Sequence, residues 1–289
     1  MSDRALIVTA DDFGLSLAVN EAVEEAHRKG VLTCASLVVT GEAAADAVRR
    51  AKKMPKLGVG LHLALLDAPS ALEAAQIPDL IEQGQDYLGS RAAATGARIA
   101  LVKSVREQAR AEMHAQFDLY RKTGLTLDRV DGHWHFHMHP TVVGILIHDL
   151  ARPYGIKAMR VPREPAGPSS RAAGSGSVKR WGTALANGPL WAALRARLKR
   201  AGIGCNDWFF GLNDTGSVTR DRLLGFIAEL PPGVSEIGLH PANAPLEGPF
   251  APPAHYRVIE ELAALTDPDV IEACRQVRLG RFADFVGPA

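Results

Sequence analysis

Short apolar runs alternate with helix-like stretches along most of the chain. The run ALIVTA at residues 5–10 is apolar throughout, the pattern of a strand covered on both faces. Ser16 and Gly30 bracket the next stretch as the N-cap and C-cap of a helix. The predicted strands are residues 5–10, 35–39, 57–63, 127–133, 157–161, 208–210 and 235–240, and the predicted helices are 16–30, 43–53, 104–122, 141–153 and 219–230. Residues 67–103 are predicted to be irregular.

This alternation predicts an α/β fold built from parallel β–α–β units. About seven strand–helix units fit a (β/α) barrel better than an open doubly wound sheet, since no GxGxxG motif or P-loop opens any of the helices. We therefore expect a TIM-like barrel in a single domain, residues 1–289, with an insertion near residues 165–206.

The insertion differs from the rest of the chain in charge. It contains no Asp or Glu, and its seven basic residues are Arg171, Lys179, Arg180, Arg195, Arg197, Lys199 and Arg200. Its first part is rich in Gly, Ser and Pro and predicts a flexible segment. Its second part, residues 189–201, predicts a short helix with Leu190, Trp191, Leu194 and Leu198 on one arc. This arc either packs on the barrel, with the basic residues in solvent, or faces anionic lipid.

Composition excludes several classes of protein. The chain has 289 residues, is 47% apolar and carries a net charge of +1, so it is neither disordered nor attracted as a whole to nucleic acid. The basic insertion leaves a net charge of −6 on the rest of the chain. Cys34, Cys205 and Cys274 are far apart and predict neither a disulfide framework nor a thiolate zinc cluster, which indicates a reducing compartment. The sequence shows no signal-peptide pattern and no apolar run of membrane-spanning length, so we expect a cytoplasmic protein.

Ionisable side chains stand at or near the carboxyl ends of five predicted strands. These residues are Asp11 and Asp12, His62, Asp131 and His133, Arg160, and His240. The carboxyl ends of the strands in a (β/α) barrel converge on one mouth, where active sites are built. The pattern therefore predicts that these groups share one site.

A histidine cluster follows the fourth of these strands. His133, His135, His137 and His139 alternate with other residues, and in an extended segment this spacing places all four imidazoles on one face. Four metal ligands from one strand are geometrically awkward. We therefore expect one or two of them to bind metal and the others to support the ligands, contact substrate or pack.

This set of carboxylate and imidazole groups predicts a hydrolytic metal site. One Asp with two or three His suits zinc or another borderline divalent ion, and it lacks the oxygen-rich donor set that magnesium and calcium favour. Three protein ligands leave a position for water, whose pKa the metal lowers to about 7. A nearby carboxylate can accept a proton from water, and a separate His can protonate a departing amine.

Four motifs carry a family resemblance. TADDFGLS at residues 9–16, GLHL at 60–63, DGHWHFHMHP at 131–140 and HPA at 240–242 closely resemble those of the YdjC-type carbohydrate deacetylases. RALIVTADDFGLS, NEAVEEAH, RVPREP and LPPGVSEI are most similar to the hopanoid-biosynthesis-associated branch of that family. The resemblance implies a distorted (β/α) barrel that hydrolyses the N-acetyl group of an N-acetylglucosamine unit.

The resemblance also implies roles for individual residues. Asp12, His62 and His133 correspond to the ligands of one divalent metal ion, zinc or alternatively magnesium. Asp11 corresponds to the general base, and His240 to a general acid or transition-state stabiliser.

Further side chains are expected to contact substrate. Arg160 is expected to orient either Asp11 or the substrate, and His135 and His137 match the motif. Trp208 is expected to line the apolar side of the cavity.

Three interpretations of the substrate remain open. The hopanoid branch implies an N-acetylglucosaminyl hopanoid, reached by peripheral contact with the inner face of the cytoplasmic membrane. The residues proposed for that contact are Trp191, Arg195, Arg197, Lys199 and Arg200. The alternatives are a deacetylase of soluble chito-oligosaccharides and a non-enzymatic protein that binds hopanoid glycolipids. A homodimer is expected because two-fold dimers are common among soluble oligomers.

Overall fold

The computed structural model describes residues 3–287, which form a curled parallel sheet flanked by helices. The strands in this range are β1 Arg4–Phe13, β2 Cys34–Leu37, β3 Gly58–Leu63, β4 Val130–Gly132, β5 Ala158–Met159, β6 Gly204–Cys205, β7 Trp208–Phe210, β8 Gly233–Leu239 and β9 Arg278–Leu279. Eight of them pair in the order β6-β5-β4-β3-β2-β1-β8-β7, and β9 pairs with the start of β1. The predicted α/β fold is confirmed.

Helices connect most successive strands. They are α1 Leu17–Lys29, α2 Ala44–Lys52, α3 Ala92–Leu101, α4 Lys103–Thr123, α5 Pro140–Ile145, α6 Ala151–Tyr154, α7 Ala166–Ala173, α8 Ser177–Arg200, α9 Arg220–Ala228, α10 Val258–Thr266, α11 Pro268–Cys274 and α12 Phe282–Phe285. The predicted caps of α1 are confirmed, since Ser16 Oγ accepts the Val19 N–H and the helix ends at Gly30. Helix α3 lies where the sequence predicts irregular structure. It has no side-chain N-cap and contains Gly96, so the usual start and stop signals are missing.

The sheet curls into a half-barrel. Its outer strands β6 and β7 are separated in sequence by Asn206 and Asp207, so no helix connects them. The buried Asn206 amide links the segment that follows β5 to β7. It accepts the Val161 N–H at 2.8 Å and donates to the carbonyl oxygens of Val161 and Trp208 at 2.9 and 2.8 Å, and the Phe209 N–H donates to the carbonyl oxygen of Arg163 at 2.9 Å. The expected distorted barrel is confirmed, with these few hydrogen bonds where a closed barrel would have a continuous strand pair.

The first part of the insertion is helical, so its interpretation as a flexible segment is wrong. The left-handed glycines Gly174 and Gly176 form the turn between α7 and α8 rather than a mobile linker. The Arg180 guanidinium is 5% exposed and pairs with Glu164 at 2.8 Å and Asp214 at 2.7 Å. This basic residue of a Gly/Ser-rich stretch therefore anchors α8 to the barrel.

The apolar arc predicted for residues 189–201 lies in the second half of α8, where three of its four residues pack inward and Leu190 is 39% exposed. Trp191, Leu194 and Leu198 are buried, and Arg195 pairs with Asp207 at 2.8 Å. Trp191 and Arg195 are therefore engaged within the fold and are not available for the predicted membrane contact. Within residues 3–287, no helix is long and apolar enough to cross a membrane.

Candidate active site

The carboxyl ends of β1, β3, β4, β7 and β8 surround a cavity of about 340 Å³. Asp11, Asp12, His62, His133 and His240 all line it. The structure thus brings together the strand-end groups to which the sequence assigns metal binding and proton transfer. The volume lies within the range of small-molecule sites.

Three of these side chains direct donor atoms toward one point. Asp12 Oδ1 lies 3.5 Å from His62 Nε2 and 3.1 Å from His133 Nδ1, and the three donors are within 4.8 Å of one another. Ligands about 2.0–2.1 Å from a tetrahedral zinc ion lie about 3.4 Å apart. The spacing therefore fits a bound ion with little rearrangement. These are the three residues predicted to be metal ligands.

Asp131 fixes the orientation of His62. Its Oδ1 lies 2.8 Å from His62 Nδ1, so Nδ1–H donates to the carboxylate and leaves the lone pair of Nε2 facing Asp12. A carboxylate behind a ligating histidine fixes the tautomer and ring orientation of that ligand. Burial alone lowers the pKa of His62, but Asp131 overrides this effect and raises it.

Asp11 is held by a bidentate ion pair. Arg160 Nη1 and Nη2 donate to its two carboxylate oxygens at 2.7 and 2.9 Å, and Ser36 Oγ lies 2.8 Å from Oδ1. Burial raises the pKa of Asp11, but the Arg160 guanidinium outweighs burial and holds this pKa well below its usual range. The carboxylate is therefore ionised at neutral pH and fixed in position. Arg160 is fully buried and does not line the cavity, so its side chain orients Asp11 and is not placed to contact substrate.

The charges at and beneath the site favour a divalent cation. The ion-pair network there contains the carboxylates of Asp11, Asp12, Asp128, Asp131 and Glu236 and the guanidiniums of Arg129 and Arg160. Counting only these carboxylates and guanidiniums, negative charges exceed positive charges by three. An unbalanced charge in a buried site is costly, and a divalent ion at the three donors would offset most of this excess. Donor spacing and charge thus agree that the site fits such an ion.

His240 lines the same cavity. Its backbone N–H donates to Glu261, and its ring meets Tyr256 edge to face with centroids 5.2 Å apart. Among residues 3–287, its buried Nδ1 has no hydrogen-bond partner. The residue lines the cavity, and an imidazole in that position can exchange a proton with a bound ligand.

The histidine cluster is not the extended segment that the spacing predicts. β4 ends at Gly132, and residues 133–138 form a tight turn of 3₁₀ helix in which Trp134 and His135 adopt left-handed φ angles of 54° and 53°. The turn removes the period-two geometry, so the four rings do not share a face. The sequence lacks the glycine that normally signals a left-handed position, which is why this turn was not predicted.

Each ring of the cluster has a separate environment. His135 lines the cavity with its ring edge-on to Phe209 at 5.2 Å, and burial lowers its pKa well below the usual value. Burial lowers the pKa of His137 to about 4, so its neutral ring donates Nε2–H to the carbonyl oxygen of Arg160 at 3.0 Å. His139 stacks on Phe136. His137 therefore supports the backbone of Arg160 from outside the cavity wall, and His135 is the member placed to contact substrate.

Trp208 also lies outside this cavity, contrary to expectation. Its ring packs under the Arg163 guanidinium at 4.2 Å, and its indole N–H donates to the carbonyl oxygen of Pro232. Phe209, the next residue of β7, lines the cavity instead. Successive strand residues point to opposite faces, so an aromatic run cannot place all of its rings on one side.

Sequence reasoning assigned no role to several buried groups of the site. Asp131 orients His62, and Glu236 Oε1 accepts from Arg160 at 2.8 Å. Arg129 lies 3.0 Å from Asp131. Glu236 and Arg129 could have been found because each is a charged residue in or beside an apolar strand, where burial requires a partner.

Comparison with known proteins places the whole chain among related sequences. The family described as YdjC-like protein matches residues 5–276. A carbohydrate deacetylase of Geobacillus stearothermophilus is 31% identical over 98% of each chain, and one of Mus musculus is 31% identical over 91% of this chain and 88% of the other. A chitooligosaccharide deacetylase of Salmonella dublin is 33% identical over 56% of this chain and 61% of its own length.

A solved structure shares the fold. A protein from Enterococcus faecalis, provisionally described as a cellobiose-phosphate cleavage protein, superposes with a TM-score of 0.71 over 98% of this chain and 99% of its own. Its sequence identity is 23%, so this likeness concerns the architecture alone.

Proposed function

The chain belongs to the YdjC-like protein family, and on that basis we propose that it is a metal-dependent hydrolase that removes the N-acetyl group of an acetylated amino sugar. The observation that carries the proposal is the donor set of Asp12, His62 and His133 beside a carboxylate clamped by Arg160. The names of relatives that match nearly the whole chain, carbohydrate deacetylases, support the same reaction class.

The residues of the chain divide the proton transfers between Asp11 and His240. A divalent ion bound by the three donors lowers the pKa of water and polarises a carbonyl oxygen. Asp11, ionised and held by Arg160, accepts a proton from the attacking water. His240 donates a proton to the amine that leaves the acetyl group. His135 contacts the substrate from the floor beside Phe209.

We further propose that the amino sugar is carried on an apolar group, as in an N-acetylglucosaminyl hopanoid. The loop after β8 supplies one wall of the cavity through Leu246, Phe250, Pro252, Pro253 and Tyr256. A wall of this composition accommodates an apolar aglycone beside the sugar. A non-enzymatic glycolipid-binding protein needs neither a general base held by an arginine nor a proton donor beside a metal. The non-enzymatic alternative therefore leaves these groups of the site without a role.

The soluble alternative also has support. Relatives named chitooligosaccharide deacetylase match just over half of the chain. Acetate release from an N-acetylglucosaminyl hopanoid and from diacetylchitobiose, each with zinc-loaded protein, separates the two substrates. We expect kcat/KM to be higher for the lipid, with loss of one acetyl group visible by mass spectrometry. A higher kcat/KM for diacetylchitobiose would assign the chito-oligosaccharide reaction instead.

A membrane contact, if the substrate is a lipid, is best placed on the first half of α8. Val178, Trp181 and Leu185 are 90, 52 and 74% exposed and lie about one helical turn apart. Lys179 and Thr183 of the same half contact Asn213, in the loop whose Leu212 and Thr215 line the cavity. This surface therefore adjoins the cavity, whereas Lys199 and Arg200 lie at the opposite end of the helix.

Vesicle binding tests this surface. Replacing Trp181 and Leu185 together by serine should weaken binding to vesicles of phosphatidylcholine and phosphatidylglycerol by about tenfold or more, because each side chain contributes roughly 1.5–3 kcal/mol when fully buried in an apolar phase. The matched control replaces Lys199 and Arg200 by glutamine and should change binding less. Equal binding by the serine variant and the unmodified protein would rule out this surface.

A further inference from the structure

Backbone strain is concentrated around the cavity. Among residues 3–287, the non-glycine residues with positive φ are Asp12 at 63°, Asp67 at 49°, Trp134 at 54° and His135 at 53°. All four line the cavity. Aspartate tolerates this conformation through local hydrogen bonds, but a bulky aromatic residue adopts it at a cost in stability. Such strain persists at sites where it positions a functional group.

Packing of the Trp134 side chain offsets little of the stability that its strained backbone costs. Its side chain is 58% exposed, and its ring lies edge-on to that of the metal-ligand candidate His133, with centroids 6.0 Å apart. A residue selected only for stability would not combine a strained backbone with a large exposed ring. The left-handed turn does place the indole at the rim of the cavity, one residue from the proposed metal site.

The other aromatic rings of the cavity wall are already engaged. Phe209 is buried, with the Arg160 guanidinium over its ring at 5.0 Å and the His135 ring against it. Phe250 meets Tyr87 edge to face, and Tyr256 meets His240 in the same way. Among the Phe, Tyr and Trp residues of this wall in the described range 3–287, Trp134 is the one that is exposed to solvent. Its indole can therefore offer a π face to a ligand.

We propose that Trp134 is the binding platform for the sugar ring that carries the N-acetyl group. One face of a pyranose ring presents C–H groups, which pack on an aromatic face, while its hydroxyls remain free to form hydrogen bonds at the edges. The acetyl carbonyl is only a few bonds from that ring. A sugar whose carbonyl reaches the Asp12–His62–His133 donors therefore lies within reach of Trp134. This inference rests on the proposed deacetylation.

Substitution of Trp134 separates binding from chemistry. Trp134→Ala should raise KM for acetate release about tenfold with both diacetylchitobiose and the N-acetylglucosaminyl lipid, because both carry the same sugar ring. Its kcat should stay within about twofold of the unmodified enzyme, since a platform binds the ground state and transition state alike. Trp134→Phe keeps an aromatic face and should retain most of the affinity.

A glycine variant tests the strain. Trp134→Gly relieves the left-handed backbone, so its melting temperature should equal or exceed that of the unmodified protein while its KM rises as in the alanine variant. An unchanged or higher melting temperature together with a higher KM would exclude misfolding as the cause of weaker binding.

The possible failures are distinguishable. Unchanged KM in Trp134→Ala, or a fall in kcat without a rise in KM, overturns the platform and leaves the deacetylation intact. Absence of acetate release from any acetylated amino sugar by the metal-loaded, unmodified protein overturns the proposed function and the platform with it.

Discussion

Replacing Asp11 by asparagine is expected to lower kcat for acetate release by about 10²–10⁴-fold, the contribution of a positioned general base. The amide keeps nearly the size and shape of the carboxylate but cannot accept the proton from water. Asp11 also forms a second possible donor group with His62 and Asp131, but Arg160 holds both of its oxygens and Asp131 pairs with His62 Nδ1, so the variant should retain its bound metal. Steady-state kinetics together with metal analysis by plasma mass spectrometry measure both quantities.

Asp12→Asn is the matched control for this result. It changes the adjacent carboxylate, whose Oδ1 lies 3.1 Å from His133 Nδ1, and it should lose metal and activity together. Two results would contradict the division of roles between Asp11 and Asp12. One is loss of metal from the Asp11→Asn variant, and the other is that this variant keeps more than about a tenth of the activity.

Replacing Arg160 by leucine is expected to lower the free energy of unfolding by about 3–5 kcal/mol, as when one partner of a buried ion pair is removed. The guanidinium is fully buried and pairs with Asp11 at 2.7 Å and Glu236 at 2.8 Å, so its loss leaves buried carboxylates uncompensated. Urea denaturation of metal-free protein measures this effect without the contribution of metal binding.

A surface pair provides the control for Arg160. Arg171 pairs with Glu229 at the same 2.8 Å distance, but its side chain is 62% exposed. Arg171→Leu should therefore cost less than about 1 kcal/mol. If both leucine variants lost the same stability, the buried network would not hold the site together. Arg160→Lys, which keeps the charge but not the bidentate geometry, should fold better than the leucine variant and still have a reduced kcat.

The sequence could predict the features that depend on periodicity and strand direction. Apolar runs located the long strands, and the parallel arrangement brought Asp12, His62 and His133 to one mouth although they are far apart in the chain. The cap residues Ser16 and Gly30 gave the ends of α1 correctly. These signals are local in sequence, so no tertiary contact was needed to interpret them.

The errors have two physical causes, an unusual local backbone conformation and contacts between residues that are distant in sequence. Trp134 and His135 adopt left-handed angles that their residue types disfavour, so the spacing of the cluster suggested an extended strand. The Gly/Ser-rich start of the insertion is helical because Arg180 pairs with Glu164 and Asp214, which tertiary structure brings to it. Asp131 and Glu236 acquire their roles only through partners on other strands. For the insertion and for these two carboxylates the decisive interaction is distant in sequence.

We propose above that Asp12, His62 and His133 hold a divalent metal ion required for deacetylation, and one experiment tests this requirement directly. That experiment is acetate release from an N-acetylglucosamine-containing substrate by thoroughly chelated protein, measured before and after one equivalent of zinc is added. We predict that activity is lost on chelation and restored by zinc, and that His133→Ala is not restored. Full activity in protein shown to contain no metal would contradict the account.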